Sequence, residues 1–230
     1  RLIGNFDKHT SRKDIDESID FIKDNPTIRE VLVTGGDALL LPNNKLEYIF
    51  NKLSQIDHVE ITRIGTRTLA TLPFRIDDEL ALLLRKYKVQ VSTQFNHACE
   101  LTPEAVMAID TLVDHGIPVR NQMVLLHNVN DNKYCIQKTN EELQKYRVIS
   151  YYLFHPKDVK STQHFQVDIS KGLEIMKHLE GRTSGMCKPT YVYNSPLGLG
   201  KVPLVPMENI EPDENGYKFT TWENKTVKKD

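Results

Sequence analysis

The 230-residue sequence predicts an α/β fold in which parallel strands alternate with helices, arranged as a (β/α) barrel. Apolar runs typical of buried strands alternate with segments whose apolar residues recur at helical spacing. The predicted strands begin near residues 31, 59, 89, 117, 148 and 189. A repeat of about 30 residues is the length of a strand, a crossover helix and the return to the next parallel strand.

The first half of the chain contains three predicted strand–helix units. Val31–Val33 lies in the first strand, and Asn43 or Asn44 is the predicted N-cap of the helix after it. The second unit joins the strand HVEITRIG to the helix IDDELALLLRKY, whose first-turn acids suit the positive end of a helix dipole. The third joins VQVSTQF to TPEAVMAIDTLVDHG, which starts with a cap at Thr102, has Pro103 at the first helical position and ends in Gly116.

The second half continues the alternation and ends differently. The predicted strands IPVRNQMVLL and VISYYLF flank a helical stretch from Asn132 to Tyr146, and the helix SKGLEIMKHLEG precedes a sixth strand, PTYVYN. After about residue 202 the sequence predicts a Pro-rich connection, a short hairpin and a basic tail. We therefore predict a barrel domain over residues 1–202 and a C-terminal extension over residues 203–230.

Polar residues at the predicted strand ends favour a barrel over an open doubly wound sheet. In a barrel all strand ends converge on one mouth, whereas in an open sheet only the strands at the switch point share a site. Both arrangements fit the alternation itself. The polar strand ends are Gly35–Asp37, Arg63–Arg67, Gln94–His97, Gln122, His155–Lys157 and Asn194.

Charge and apolar content argue against several classes of partner and location. The net charge of -1 gives no basis for nucleic acid or an anionic membrane as a partner. No run of about 18 apolar residues is present, and the first residues lack the apolar stretch of a signal peptide. We therefore expect a soluble cytoplasmic protein with a small-molecule substrate.

Neither the cysteines nor the histidines predict a metal site. Cys99, Cys135 and Cys187 are odd in number and far apart, so they form neither a disulfide framework nor a cluster motif. The eight histidines include no HxH or HExxH spacing. We expect three reduced thiols and no metal ligands within this chain.

Two loops combine glycines with a reactive side chain. Thr34–Asp37 follows a strand, where glycines allow a ligand to approach the backbone and Asp37 can accept a bond from an ammonium group. The loop PLGLGK ends in Lys201 and lacks the spacing of a phosphate-binding loop. A lysine just beyond a strand could form a Schiff base with a carbonyl cofactor. Each loop alone also fits an ordinary turn or a solvated lysine.

Several segments taken together resemble the lysine 2,3-aminomutase family of radical S-adenosylmethionine enzymes. They occur in the order VLVTGGDALL, HVEITRIGTRT, STQFNH, VRNQMVLL followed by VND, GRTSGMCKPTYV and PLGLGK. The resemblance extends from Arg1 to about Pro206. It implies a partial (β/α) barrel of the radical S-adenosylmethionine type, here lacking its first strand, and an isomerase that moves an amino group from C2 to C3 of an amino acid.

The resemblance also implies roles for individual residues. The loop containing Gly35, Gly36 and Asp37 would hold the amino group of S-adenosylmethionine, and Gln122 would lie beside the same cofactor. Lys201 would carry pyridoxal 5'-phosphate. Two leucines occupy glycine positions of the family's PGGGGK loop, but they leave the lysine in register. A homo-oligomer is the expected state of the full-length enzyme.

Two departures from the lysine-specific members predict a different substrate. Those members bind the distal ammonium of lysine with two aspartates, and the matching positions here are Lys157 and Asn194. A cation and a neutral amide favour a carboxylate over an ammonium at that end of the substrate. This pair resembles the glutamate 2,3-aminomutase branch, and it predicts conversion of L-glutamate to β-glutamate. The structural alternative is that Lys157 points to solvent and Asn194 caps a strand.

A third departure concerns the 4Fe-4S cluster of the family. The CxxxCxxC motif, which would precede Arg1, is absent, and so is the arginine beyond it that binds the substrate carboxylate. We therefore expect a fragment that is inactive alone and whose cluster ligands lie outside this chain. The alternatives are a lysine 2,3-aminomutase, a relative acting on a protein-bound lysine, and a non-catalytic remnant of the family.

Overall fold

The computed structural model describes residues 11–159, 161–195, 200–204, 210–213, 216–221 and 223–229. The helices are α1 (Arg12–Asp24), α2 (Asn43–Leu53), α3 (Thr68–Thr71), α4 (Asp78–Lys86), α5 (Pro103–Asp114), α6 (Lys133–Lys145) and α7 (Ile169–Leu179). The strands are β1 (Glu30–Val33), β2 (Ile61–Gly65), β3 (Gln90–Thr93), β4 (Val119–Val124), β5 (Ile149–Phe154), β6 (Thr190–Asn194), β7 (Lys201–Pro203), β8 (Ile210–Asp213), β9 (Gly216–Thr220) and β10 (Thr226–Lys229).

The helix boundaries follow from local capping, with one correction to the sequence prediction. Thr102 caps α5 by accepting a bond from the backbone of Ala105, and Gly116 follows the helix with φ +77°, as predicted. The predicted Asn43 or Asn44 cap is wrong. Helix α2 begins at Asn43 itself, and the preceding Pro42 makes no side-chain capping bond. The Asn43 side chain instead accepts a bond from Arg75, at 2.7 Å.

Strands β1 to β7 follow one another in chain order in one sheet. The pairs β1·β2, β2·β3, β4·β5 and β5·β6 are parallel, and β7 returns antiparallel to β6. An open doubly wound sheet would reverse its strand order at a switch point, whereas a barrel wall adds each strand beside the last one. The predicted α/β partial barrel is therefore confirmed.

The chain divides into two compact units. Unit 1 comprises residues 1–93 and 102–119, of which the structure describes those from residue 11. Its core takes apolar side chains from the helices and from β2, all of them inaccessible to solvent. These are Leu46, Ile64, Leu80, Leu84, Ile109 and Leu112. Apolar residues at helical spacing on α2, α4 and α5 account for this packing.

Unit 2 comprises residues 94–101 and 120–230. Its core joins one face of β4, β5 and β6 to the apolar faces of α6 and α7. The buried members are Met123, Leu125, Ile136, Leu153, Ile175, Met176, Leu179 and Tyr191. Because strand side chains alternate between faces, this packing leaves the other face of these three strands free of α6 and α7.

The C-terminal region contains two strands that the sequence did not predict, β7 and β10. Strands β8, β9 and β10 form an antiparallel three-stranded sheet, in which the predicted basic tail supplies β10. Strand β7 spans the predicted boundary at residue 202 and pairs with β6. The division into residues 1–202 and 203–230 stays a prediction. In the described part of the chain, no helix is long and apolar enough to cross a membrane.

The close contact of Gly172 with Tyr191 generates a stability prediction. A Cβ atom at position 172 would lie 2.2 Å from the Tyr191 hydroxyl oxygen. Alanine normally favours a helix over glycine by about 1 kcal/mol. Here we expect Gly172→Ala to lower the free energy of unfolding by about 1 to 3 kcal/mol, because the buried ring has no room to move. Chemical denaturation measures this change.

Gly185→Ala is the matched control, because a Cβ atom at that position meets nothing within 4 Å. We expect it to change the free energy of unfolding by less than about 0.5 kcal/mol. Equal stability of the Gly172→Ala and Gly185→Ala variants would contradict the packing described for Tyr191.

Candidate functional site

The loop after β1 has a backbone that requires glycine. Gly35 and Gly36 have φ values of +123° and +46°, in a region that side-chain-bearing residues rarely adopt. Thr34, Gly35 and Gly36 are all exposed, so their backbone groups are accessible. The loop can therefore bring main-chain donors and acceptors close to a ligand.

Asp37 ties this loop to the loop after β2. One carboxylate oxygen accepts bonds from the Thr66 hydroxyl, at 2.6 Å, and from the backbone N–H of Leu39, at 3.1 Å. The other oxygen accepts the backbone N–H of Arg67, also at 2.6 Å. Asp37 thus has a structural role in unit 1 that the sequence did not predict, although Thr66 and Arg67 lie in the polar strand end noted there. An oxygen that accepts one bond retains capacity for another.

In unit 2 the predicted residues Gln122, Asn194 and Lys201 lie on one face of the sheet. Gln122 is the register partner of Tyr152, and Asn194 is the register partner of Lys201. On strands β4, β5 and β6, the side chains of Met123, Leu153 and Tyr191 point into the core with α6 and α7. Alternation therefore places the three predicted residues on the opposite face.

Lys201 stands at the start of β7, directly across from Asn194. Its ammonium nitrogen lies 5.4 Å from the centre of the Tyr152 ring, within the range of a cation–π contact. Next to this pair, the backbone N–H of Ser195 donates to the carbonyl of Gly200, at 2.9 Å, and Gly200 has φ +97°. Lys201 is exposed. Residues 196–199 of the PLGLGK loop lie outside the described residues.

Lys157 lies three residues beyond the end of β5 and is exposed. Its carbonyl accepts a bond from the Gln166 side chain, at 2.9 Å. Pro156, immediately before it, is buried. The backbone at Lys157 is thus held in place, and its side chain is accessible to solvent or to a ligand.

His155 connects the end of β5 to β6. Its backbone N–H donates to the carbonyl of Val192, at 2.8 Å, and its Nδ1 atom lies 2.8 Å from the Tyr191 hydroxyl oxygen. Burial lowers the pKa of His155. Burial also raises the pKa of Tyr191 to about 12, so the phenol keeps its proton. Both rings are therefore neutral partners at physiological pH.

Three buried asparagines hold the segment after β3 within unit 2. The Asn121 side chain bonds both the N–H and the carbonyl of Phe95, at 2.7 and 3.0 Å. Asn96 accepts the backbone N–H of Val124, and Asn130 donates to the carbonyls of Asn96 and Val124. The sequence prediction placed Gln94–His97 among the polar strand ends, but within that segment Asn96 serves to fix the backbone.

The described residues contain no group of three or more histidines, cysteines or acids arranged to hold a metal ion. Cys99 is exposed, Cys135 is half-buried and Cys187 is buried. Burial raises the pKa of the Cys135 thiol. Within the part of the chain that the structure describes, these thiols do not form a cluster site.

The bonds of Asp37 generate a prediction for unit 1. Replacing Asp37 by Ala leaves two backbone N–H groups and one hydroxyl without their acceptor. We expect Asp37→Ala to lower the free energy of unfolding by about 2 to 4 kcal/mol, as measured by chemical denaturation. Asp20→Ala, at an exposed position of α1, should change it by less than about 0.5 kcal/mol. A loss no larger than that of the control would show that the Asp37 bonds do not stabilise the unit.

Curated relatives match nearly the whole chain. It is 47% identical over 229 residues to a glutamate 2,3-aminomutase of Clostridioides difficile strain 630, covering 99% of this chain and 54% of the relative. It is 43% identical over 216 residues to an L-lysine 2,3-aminomutase of Acetoanaerobium sticklandii, covering 94% and 52%. An L-lysine 2,3-aminomutase of Clostridium subterminale is 44% identical over 207 residues, covering 90% and 50%. The chain therefore spans about half the length of the curated relatives it matches.

Solved structures support the fold, and no protein-family model matches the chain. Native anSMEcpe with bound AdoMet and Cp18Cys peptide has a TM-score of 0.55 at 12% identity, covering 74% of this chain and 51% of that one. Streptococcus suis SuiB has a TM-score of 0.57 at 12% identity, covering 82% and 44%. Such low identity shows the fold alone. The sequence identity to the aminomutases extends along nearly the whole chain and confirms the resemblance to the lysine 2,3-aminomutase family.

Proposed function

We propose that the protein containing this chain is a radical aminomutase that converts L-glutamate to β-glutamate by moving the amino group from C2 to C3. The relatives named glutamate 2,3-aminomutase and L-lysine 2,3-aminomutase support an isomerase of this class. The chain covers about half of each relative, so the activity is proposed for the whole protein.

The observation that carries the choice of glutamate is the pair Lys157 and Asn194. Asn194 lies directly opposite Lys201 in the β6–β7 register, so its amide is next to the lysine proposed to hold the cofactor. Lys157 is exposed on a backbone held by Gln166. A substrate carboxylate can gain a charge-assisted bond from Lys157, about twice as strong as a neutral one, and a second bond from Asn194. A substrate ammonium would meet a like charge.

Lys201 fits the chemistry of pyridoxal 5'-phosphate. An exposed amine on a short strand, with an aromatic ring on one side and an amide opposite, can bond covalently to an aldehyde and support a flat ring. The contact with Tyr152 favours a side-chain direction along this sheet face. We propose Lys201 as the residue that carries this cofactor.

The residues proposed for S-adenosylmethionine fit an amino acid group. Gly35 and Gly36 expose backbone at positive φ, and Asp37 has a carboxylate oxygen with one acceptor position beyond its bond to Arg67. In unit 2, Gln122 offers a half-buried amide on the sheet face that carries Lys201. We propose these four residues for S-adenosylmethionine, each within its own unit.

The cysteines do not fit a 4Fe-4S cluster. They lie 36 and 52 positions apart in the sequence, and the described residues form no group of ligands. We propose that the cluster ligands belong to a part of the protein outside these 230 residues, so that the chain alone is inactive.

The residues of this chain would then act by binding and orientation. Lys157 and Asn194 would hold the distal carboxylate, Lys201 would anchor the cofactor, and the sheet face that carries Gln122 would set the geometry of the reacting carbons. When bound, pyridoxal phosphate supplies an electron-accepting ring and S-adenosylmethionine supplies the initiating radical. The second candidate, lysine 2,3-aminomutase, is favoured by the 43% and 44% identity to enzymes of that name.

Substrate charge separates the two candidates. We expect the intact enzyme to turn over lysine at least about 100-fold less efficiently than glutamate, which corresponds to roughly 2.7 kcal/mol of transition-state binding. Lys157→Asp combined with Asn194→Asp should lower kcat/KM for glutamate steeply without necessarily creating lysine activity. The measurement is kcat/KM for both amino acids under anaerobic conditions.

Lys171→Met is the control for Lys157→Met, because Lys171 is a lysine on α7 that pairs with Glu174. Only the change at position 157 should raise KM for glutamate. Comparable kcat/KM values for lysine and glutamate in the unmodified enzyme would show that Lys157 and Asn194 do not contact the substrate.

The cofactor lysine is identified by chemical trapping. Borohydride reduction of the intact enzyme followed by peptide mapping should place the pyridoxyl group on Lys201, because this amine lies on the proposed cofactor face. Lys201→Ala should lose the label and the activity, whereas Lys188→Ala should keep both. A label on any other lysine would contradict this assignment.

A further inference from the structure

The Tyr191 hydroxyl occupies a buried junction in unit 2. Tyr191 is 1% exposed, and its ring is confined by Gly172 of α7. The hydroxyl oxygen lies 2.8 Å from Nδ1 of His155. The ring therefore cannot reach a ligand on the other sheet face, and its polar atom has a partner at the exit of β5.

The segment that leaves β5 connects His155, which bonds Tyr191, to Lys157 through one residue, Pro156. His155 is buried and also bonded through its backbone to Val192. Pro156 fixes its own φ angle and restricts His155 to an extended conformation. The ring bond, the backbone bond and Pro156 together constrain the chain directly before Lys157.

Gln166 holds Lys157 from the other side. Its side chain donates to the Lys157 carbonyl at 2.9 Å. The carbonyl of Phe165, the residue before Gln166, accepts a bond from the backbone N–H of His127, at 3.1 Å. This bond connects the segment that contains Gln166 to the chain after β4. Lys157 is thus an exposed side chain on a backbone that is fixed at both ends.

We propose that Tyr191 is a positioning residue for substrate recognition, acting through His155 on Lys157. Its hydroxyl sets the place at which Lys157 meets the distal carboxylate of the substrate. This inference rests on the proposed function, because it requires Lys157 to bind that carboxylate. A shift of about 1 Å at such a contact is enough to weaken substrate binding strongly.

Tyr191→Phe removes the hydroxyl and keeps the ring, and Tyr193→Phe is the matched control. Tyr193 lies two residues along the same strand, and its ring centre is 6.0 Å from that of His155. In the intact enzyme we expect Tyr191→Phe to raise KM for glutamate about tenfold while kcat stays within about twofold. Tyr193→Phe should leave both constants within about twofold of the parent.

A double-mutant cycle with Lys157→Met distinguishes positioning from general structural damage. If Tyr191 acts through Lys157, Tyr191→Phe should raise KM by less than about twofold in the Lys157→Met background. An equal increase in both backgrounds, or no increase in either, would overturn the inference while leaving the role of Lys157 intact. If Lys157→Met itself leaves KM unchanged, the proposed substrate contact fails and the inference fails with it.

Substitutions at His155 test the same proposal if the Tyr191→Phe variant does not fold. Asn at position 155 keeps a polar atom in the place of Nδ1, whereas Leu keeps the bulk without it. We expect His155→Asn to retain the parental KM within about threefold and His155→Leu to raise KM about tenfold. Equal KM values for these two variants would also overturn the proposal.

Discussion

Lys201 reaches the open face of unit 2 because β7 returns antiparallel along β6. A further parallel strand would need a crossover connection of a dozen or more residues. Here only residues 195–200 separate β6 from β7, and the antiparallel pairing places Lys201 opposite Asn194. Cross-strand partners in an antiparallel pair have Cβ atoms about 5 Å apart, so the pairing itself brings the amide and the amine together. The proposed site depends on this register.

The two faces of the sheet in unit 2 have different roles, one in packing and one in the proposed site. On one face, Met123, Leu153 and Tyr191 pack with α6 and α7 and hold the strands together. On the other face, Gln122 and Lys201 are left without that apolar cover. Because the two sets alternate along the same strands, the core residues fix the positions of their polar neighbours. Tyr191 contributes to both roles, since its ring packs in the core and its hydroxyl contacts His155 at the end of β5.

The sequence was sufficient for strands β1 to β6, for helices α2 and α4 to α7 and for the candidate residues, because these depend on local signals. Helix α1 and strand β7 were not predicted. Apolar periodicity located six strands, and the cap at Thr102 located α5. The resemblance to a family indicated Lys201 and the pair Lys157 and Asn194. Contacts between distant segments were not predictable. Asn96, Asn121 and Asn130 look like loop or strand-end residues in sequence, and only the fold shows that they hold backbone groups.

Asp37 is a similar case. Its carboxylate accepts hydrogen bonds from Thr66 and Arg67, about thirty positions away in the sequence, and no local pattern predicts these bonds. The extra strand β10 was missed because the basic segment lacks a clear alternation of apolar and polar residues. The tight contact between Gly172 and Tyr191 could not be predicted either, since a helical glycine has no local sign of its distant neighbour.

The register of β6 and β7 also determines which changes the intervening loop can accept over evolution. Side chains on a strand change face with every residue, so a slip of β7 by one residue, which an insertion or deletion between Asn194 and Lys201 can cause, would turn the lysine toward the helix-covered side. Exchanging the leucines at 197 and 199 for other residues leaves that parity unchanged. Natural and engineered variants of this loop should therefore vary in composition far more freely than in length.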